Sequence, residues 1–174
     1  LLYQTLVGAW PARDDDESAE TLVNRISEYM EKAAKEAKRR TSWINPDAGY
    51  DQALRTFVGG LLSTGSPFLE VFTPFQRRVA LYGSVNSLAQ TALKIAAPGI
   101  PDFYQGSELW DLALVDPDNR RPVDYVRRQT LLEDMRARIE ERPDDLASVC
   151  DERCGAWPDG RVKMYVTLRA LTLR

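Results

Sequence analysis

Histidine is absent from this sequence of 174 residues, and cysteine is nearly so. Without histidine the chain cannot supply a Ser-His-Asp or Cys-His nucleophile, an imidazole acid or base, or a histidine metal ligand. The two cysteines, Cys150 and Cys154, cannot form a disulfide framework, and a zinc site would need two further ligands. We therefore expect reduced thiols, a cytoplasmic location, no metal and no cofactor.

Long apolar runs and an excess of one charge are also missing from the sequence. No stretch approaches 18 consecutive apolar residues, so the sequence predicts no transmembrane helix. The 23 basic and 26 acidic side chains leave a net charge of -3, which gives no reason to expect a nucleic-acid or membrane partner. The N-terminal residues lack the basic segment of a secretory signal. Because both chain ends look interrupted, we expect a fragment of a longer protein.

Apolar residues recur at helical spacing along most of the chain, so we expect a mainly α fold. The pattern predicts helices over residues of about 18–40, 45–65, 74–96, 123–141 and 161–174, with a shorter one at 144–150. Ser18 is the expected N-cap of the first helix and Asn45 that of the second. The one strand candidate is Ile100–Tyr104. A lone strand cannot satisfy its own backbone groups, which again indicates a fragment.

The most distinctive segment is APGIPDFYQGSELWDLALVDPDNRRPVDY at residues 97–125. It resembles the eighth strand and following loop of glycoside hydrolase family 13, the α-amylase superfamily. In those barrels a P-G-x-P run precedes a strand that ends in Y-x-G-x-E, and a D-P-x-N-R loop follows. Three more segments resemble the same superfamily: LLYQTLVGAWP at 1–11, KRRTSWINPDAGYDQAL at 38–54 and GRVKMYVTLRALTLR at 160–174.

This resemblance implies that the chain holds the end of a (β/α)8 barrel. Residues 1–70 would then be part of a helical insertion domain. Residues 71–141 would be the end of the barrel, with the eighth strand at about 100–104, and residues 142–174 would begin a C-terminal helical region. Ligands meet such a barrel at the C-terminal ends of its strands, which here corresponds to Tyr104–Glu108.

The resemblance also implies an activity. The four segments are most similar to those members of the superfamily that turn the reducing-end α-1,4 bond of a maltooligosaccharide into an α,α-1,1 bond. The mechanism of the superfamily is a retaining one that uses carboxylates. The catalytic carboxylates of the family belong to strands four, five and seven, so we assign no catalytic residue here and expect the chain alone to be inactive. Two alternatives stay open: another hydrolase or transglycosylase of the superfamily, and a non-catalytic helical interaction module.

The candidate substrate-binding residues lie at the end of the expected strand, in the loop after it, or in a break between helices: Trp43, Tyr104, Gln105, Glu108, Asp116, Asn119 and Arg120. Trp43 would either stack on a sugar ring or pack in a core or between domains. Asp116 and Asp118 would either cap their turn or contact sugar. Glu108 would either pair with Arg120 or Arg121 or contact a hydroxyl. Unpartnered barrel faces, at residues such as Ile100 and Val126, would also favour a C2 dimer.

Overall fold

A computed structural model describes all 174 residues, and every regular element in it is helical. The seven α-helices are α1 Leu2–Ala9, α2 Ala19–Ala37, α3 Ala48–Leu61, α4 Pro67–Ala96, α5 Tyr125–Glu141, α6 Leu146–Gly155 and α7 Arg161–Leu173. Two single-turn 3-10 helices lie at Asp118–Arg120 and Trp157–Asp159. The expectation of a mainly α chain is confirmed. None of the helices is both long enough and apolar enough to cross a membrane.

The strand predicted at about 100–104 is wrong for this chain, since these residues are irregular. A strand exists through hydrogen bonds to a neighbouring strand, and no other segment here forms one. Ile100, which the sequence placed in that strand, is 98% exposed.

The chain divides into two compact units. Unit 1 consists of Leu1–Ala80 together with Leu112–Arg121, and unit 2 consists of Leu81–Asp111 together with Pro122–Arg174. Helix α4 therefore contributes residues to both units.

Unit 1 is built around α1, α2, α3 and the first half of α4. Its core consists of Leu2, Leu6, Ala9, Leu22, Ile26, Val58, Leu62 and Phe72. Ser18 caps α2 as the sequence predicted, because its Oγ accepts the backbone N–H of Thr21 at 3.1 Å. The helix ends at Ala37 rather than near residue 40, and the next residue, Lys38, has left-handed backbone geometry.

Two helix starts differ from the prediction. Asp47, not Asn45, caps α3, because its Oδ1 accepts the N–H of Tyr50 at 3.0 Å. Helix α4 begins at Pro67 and continues through Pro74, where the sequence placed its start. Phe72 packs in the core of unit 1 with Phe68 and Leu69 against it, and burial of these side chains offsets the backbone hydrogen bond that Pro74 removes.

Unit 2 contains the second half of α4 with α5, α6 and α7. Its core consists of Leu109, Met135, Val149, Met164 and Tyr165. The helix predicted over 161–174 is present as α7, and Asp124 begins α5 by accepting the N–H of Arg127 at 2.8 Å. Val126 of α5, which the sequence placed on an unpartnered barrel face, is 78% exposed. Its position in the first turn of the helix leaves it outside the contacts that bury Met135.

Candidate functional site

The segment Tyr104–Glu108, called here the 104–108 loop, turns sharply in unit 2 at Gly106. Gly106 has φ +87°, and a Cβ there would lie 3.2 Å from Val123 Cγ2, so a side chain would be both strained and crowded. The carbonyl of Tyr104 accepts hydrogen bonds from the N–H of Ser107 at 3.1 Å and from its Oγ at 2.6 Å. The chain thus reverses within a few residues at the place where the sequence predicted a sharp exit.

Arg128 of α5 binds this loop through its whole guanidinium group. Its Nε donates to Glu108 Oε2 at 3.0 Å, its Nη2 to the Gly106 carbonyl at 2.8 Å, and its Nη1 to the Asp124 carbonyl at 3.1 Å. Glu108 is therefore in an ion pair, with Arg128 rather than with Arg120. A contact between Glu108 and sugar stays a prediction.

Tyr104 and Gln105 remain open to solvent at the tip of the loop. The ring of Tyr104 is 55% exposed, and Gln105 is also exposed. The hydroxyl of Tyr125 donates to Gln105 Oε1 at 3.2 Å, which turns the amide nitrogen of Gln105 away from that partner. The loop therefore presents one aromatic face and one amide donor group.

The residues after the loop are anchored by α7 and the turn before it. Lys163 Nζ donates to the Leu109 carbonyl at 3.2 Å, and Trp110 Nε1 donates to the Trp157 carbonyl at 2.6 Å. Burial, and then the charge of Lys94, lowers the pKa of Lys163. Because the indole N–H of Trp110 already has a partner, this tryptophan serves to anchor the loop.

In unit 1, a bidentate ion pair fixes the loop of residues 112–121 to helix α2. Arg25 donates from Nε to Asp118 Oδ1 and from Nη2 to Asp118 Oδ2, both at 3.0 Å. The N–H of Leu114 donates to Asp118 Oδ2 at 2.6 Å, and Arg25 Nη2 also reaches the Leu112 carbonyl at 2.9 Å. Asp118 therefore fastens its loop both locally and to the helix.

The electrostatics of this pair favour the charged forms. Burial by itself would raise the pKa of Asp118, but the hydrogen bonds from Arg25 and Leu114 and the charges of Arg25 and Arg121 outweigh burial, and the pKa is lowered. Burial by itself would lower the pKa of Arg25, but Asp118 and Glu17 outweigh it, and that pKa is raised. The pair therefore stays ionised at neutral pH.

The other predicted residues of this loop lie nearer to solvent. Asp116 forms an ion pair with Arg120, and its carbonyl accepts a hydrogen bond from Lys32 of α2. Asn119 and Arg120 are exposed. Asp116 is thus engaged in holding the turn, while sugar contact by these three residues stays a prediction.

Trp43 lies at the surface of unit 1, in the break between α2 and α3. Its side chain is 61% exposed, which disagrees with the alternative of a core tryptophan. Lys35 Nζ lies 4.9 Å from the ring centroid and donates to Glu31 Oε1 at 2.6 Å. The hydrogen bond that Lys35 donates to Glu31 raises the pKa of Lys35 despite some desolvation. The indole ring therefore has a cation beside it and an open surface for stacking.

The structure divides the candidate residues between the two units. Unit 1 carries Trp43, Asp116, Asn119 and Arg120, and unit 2 carries Tyr104, Gln105 and Glu108. Tyr104, Gln105 and Glu108 share one loop, and Asp116 and Arg120 are joined by an ion pair. Sequence reasoning weighed Asp118 as a capping residue of its turn, and Asp118 does accept the N–H of Leu114. It missed the basic residues that hold the loops: Arg25, Arg128 and Lys163.

Helix α6 carries both cysteines of the chain. Cys150 and Cys154 are free thiols. Burial, and then the neighbouring Cys154, raises the pKa of the Cys150 thiol, so it is protonated at neutral pH. No group of three or more metal-ligating side chains is present.

No family model matches this chain. The comparisons with individual proteins point to one class, enzymes named for the formation of trehalose. A Mycobacterium tuberculosis (strain H37Rv) protein assigned as a maltooligosyl trehalose synthase is 39% identical over 132 residues, which are 76% of this chain and 17% of that protein.

Solved structures of maltooligosyl trehalose synthases agree with this match. One crystal structure has a TM-score of 0.81 and 35% identity, over 99% of this chain and 22% of that chain. The Arthrobacter ramosus enzyme has a TM-score of 0.74 and 36% identity, over 100% of this chain and 20% of that one. The chain is therefore homologous to a segment of maltooligosyl trehalose synthases, and it spans about a fifth of their length.

Proposed function

We propose that this chain is part of an intramolecular transglycosylase, an isomerase of trehalose biosynthesis. The whole enzyme converts the reducing-end α-1,4 bond of a maltooligosaccharide to an α,α-1,1 bond and gives maltooligosyl trehalose. The observation that carries the proposal is the likeness to maltooligosyl trehalose synthases over 99% of the chain at 35% identity and a TM-score of 0.81. The free thiols Cys150 and Cys154 support a cytoplasmic location for this enzyme.

Within that enzyme we assign residues 1–70 to a helical insertion domain, 71–141 to the end of a (β/α)8 barrel and 142–174 to the start of a C-terminal helical region. Residues 100–104 would become the eighth strand only when neighbouring strands supply backbone partners. The exposure of Ile100 in this chain supports that assignment, because a barrel strand places its apolar side chains against layers that this chain does not contain.

The catalytic carboxylates of the proposed enzyme lie outside this chain, which we therefore expect to be inactive alone. Its part is to bind the glucan and to help keep water from the reacting bond, since water would divert the reaction to hydrolysis. Tyr104 and Trp43 offer exposed aromatic faces for sugar rings, and Gln105 offers an amide for hydroxyl groups.

The second loop supplies the polar part of the proposed glucan contact. Asn119 and Arg120 are exposed donors, and Asp116 and Glu108 are carboxylates already paired with arginines. A paired carboxylate keeps free lone pairs that can accept a sugar hydroxyl. These side chains would thus add hydrogen bonds around rings stacked on the aromatic residues.

A segment swap tests the proposal. This chain replaces the aligned segment of the Arthrobacter ramosus enzyme, and a control swap inserts the aligned segment of the Mycobacterium tuberculosis protein. We expect the swapped enzyme to remove reducing ends from maltopentaose and to form a non-reducing product. If the control swap is active while this chain supports only hydrolysis to glucose and maltose, the chain belongs to a hydrolase and the proposal is wrong.

We also propose that the isolated chain self-associates as a C2 dimer. The exposed apolar side chains that support this in unit 2 are Tyr82, Val85, Leu93, Ile100 and Val126. Exposed apolar area of this kind is rare on stable monomers and favours association. A two-fold pair is the commonest closed arrangement for such a surface.

A further inference from the structure

The 104–108 loop depends on outside contacts for its conformation. Within the loop, the carbonyl of Tyr104 accepts two hydrogen bonds, both from Ser107. Gly106 has a positive φ, and glycine populates positive and negative φ about equally, so its own preference does not hold the loop in this conformation. The position of the exposed Tyr104 and Gln105 is therefore set by whatever holds the loop at its ends.

Arg128 is the residue that spans the loop from a rigid element. It is half-buried, and its planar group reaches the Gly106 carbonyl in the middle of the loop and the Glu108 carboxylate at its end. Its third bond, to the Asp124 carbonyl, ties the same guanidinium to the capped start of α5. A guanidinium can make these bonds together because its donors are fixed in one plane, whereas a lysine ammonium is a single point.

Tyr125, on the same turn of α5, completes the arrangement. Its hydroxyl holds Gln105 Oε1 at 3.2 Å, so the free amide nitrogen of Gln105 has a preferred direction. The first turn of α5 thus fixes both the backbone of the loop and the orientation of its polar tip.

We propose, as an extension of the proposed function, that Arg128 is a positioning residue for glucan binding. It holds the 104–108 loop so that Tyr104 and Gln105 meet an α-1,4-glucan, and Tyr125 orients the Gln105 amide for a sugar hydroxyl. Arg128 itself contacts the loop rather than the glucan. Because the loop acts on bound glucan rings in ground state and transition state alike, its loss raises KM and leaves kcat nearly unchanged.

The kinetic test uses the segment-swapped enzyme with maltopentaose as substrate. Arg128→Ala removes three charge-assisted bonds, and we expect KM to rise about tenfold with kcat within about twofold of the unmodified enzyme. Arg127→Ala is the matched control, because Arg127 is exposed on the same turn and carries the same charge. Arg128→Lys keeps the charge but loses the planar set of guanidinium donors. We therefore expect its KM to lie between those of Arg128→Ala and the unmodified enzyme.

A second variant and a second readout separate positioning from folding. Tyr125→Phe keeps the exposed ring and removes only the hydroxyl, and we expect KM to rise about threefold without a change in Tm. In the 174-residue chain, amide hydrogen exchange at Ser107 is expected to be about tenfold faster in Arg128→Ala than in Arg127→Ala.

The outcomes are distinct. If the unmodified swapped enzyme is active and Arg128→Ala leaves KM unchanged, or if Arg128→Lys restores it fully, the positioning role is overturned. If Arg128→Ala lowers Tm while KM per folded molecule stays constant, Arg128 is structural only and the proposal is wrong. If the unmodified swapped enzyme makes no non-reducing product while its control swap does, the proposed function fails and this inference fails with it, whatever the exchange at Ser107.

Discussion

At the scale of single residues, arginines from helices hold loops that lie far away in the sequence. Arg25 and Asp118 are 93 positions apart, and Arg128 reaches Glu108 from 20 positions further along the chain. Each arginine uses several donors, which fixes loop direction as well as distance. No periodicity or local motif reports such a contact, so sequence reasoning named Glu108 and Asp116 without finding the arginine that holds Glu108.

Replacing Asp118 tests the first of these contacts. Asp118→Asn leaves Arg25 buried with a weaker partner, and we expect the free energy of unfolding at pH 7 to fall by about 2 kcal/mol. Denaturation with urea measures this change. Asp14→Asn is the control, because Asp14 and its ion-pair partner Arg77 are both exposed, and it should leave stability unchanged.

Because the pKa of Asp118 is lowered, its contribution to the free energy of unfolding depends on pH. A carboxyl group with a folded pKa below its unfolded value of about 3.9 stabilises the protein above that value. The contribution is lost as pH falls through the lower, folded pKa. We therefore expect the difference in unfolding free energy between wild type and Asp118→Asn to shrink from pH 5 towards pH 2. A difference that stays constant over this range would show that the charge of Asp118 is not responsible.

A further prediction at the scale of single residues concerns sugar stacking by Trp43. If its exposed ring stacks on sugar, Trp43→Ala in the segment-swapped enzyme should weaken transition-state binding by roughly 1–3 kcal/mol, with base–aromatic stacking as a loose analogue. Its Tm should change little, because the side chain is 61% exposed. Measurements of kcat/KM and Tm on one preparation decide the matter. A large fall in Tm with unchanged kcat/KM would assign Trp43 a structural role instead.

At the scale of elements, helices with strong local signals were predicted well. Ser18 caps α2 as expected, and the helix over 161–174 is present as α7. The errors lie where tertiary contacts outweigh a local signal. Helix α4 continues through Pro74, where core packing around Phe72 offsets the lost backbone hydrogen bond. Residues 100–104 form no strand because a strand requires a hydrogen-bonded partner strand.

Alanine substitutions at two glycines test how tightly the start of α7 packs against Leu109 and Trp110. Gly160 and Gly65 both have φ +79°, but a Cβ at Gly160 would lie 3.0 Å from the Trp110 backbone N, whereas Gly65 faces open space. Both alanine variants lose roughly 1–2 kcal/mol from left-handed strain. Gly160→Ala should lose about 1–3 kcal/mol more from crowding. Thermal unfolding of the two variants compares them, and equal losses would contradict the tight contact at Gly160.

At the scale of the whole molecule, exposed apolar side chains remain after both units have formed their cores. Leu93 and Ile100 are 70% and 98% exposed. The chain also spans only about a fifth of the solved enzymes that it resembles. Both facts agree with a segment whose outer surface is completed by other parts of a larger enzyme.

The dimer proposed for the isolated chain is tested at the same scale. We expect sedimentation at micromolar concentration to show a dimer, because burial of exposed apolar area favours association. Leu93→Glu should shift the chain towards monomer, while Glu70→Gln, a change on the unit 1 part of the same helix, should not. A clean monomer without dye-accessible apolar surface would contradict the proposed dimer.

The product balance of the segment-swapped enzyme tests the central claim most directly. That protein is incubated with maltopentaose, and reducing ends and free glucose are followed over time. The account predicts that reducing ends disappear while glucose does not accumulate, because an α-1,4 bond becomes a non-reducing α,α-1,1 bond without loss of a sugar. Release of glucose and maltose with rising reducing ends would contradict it.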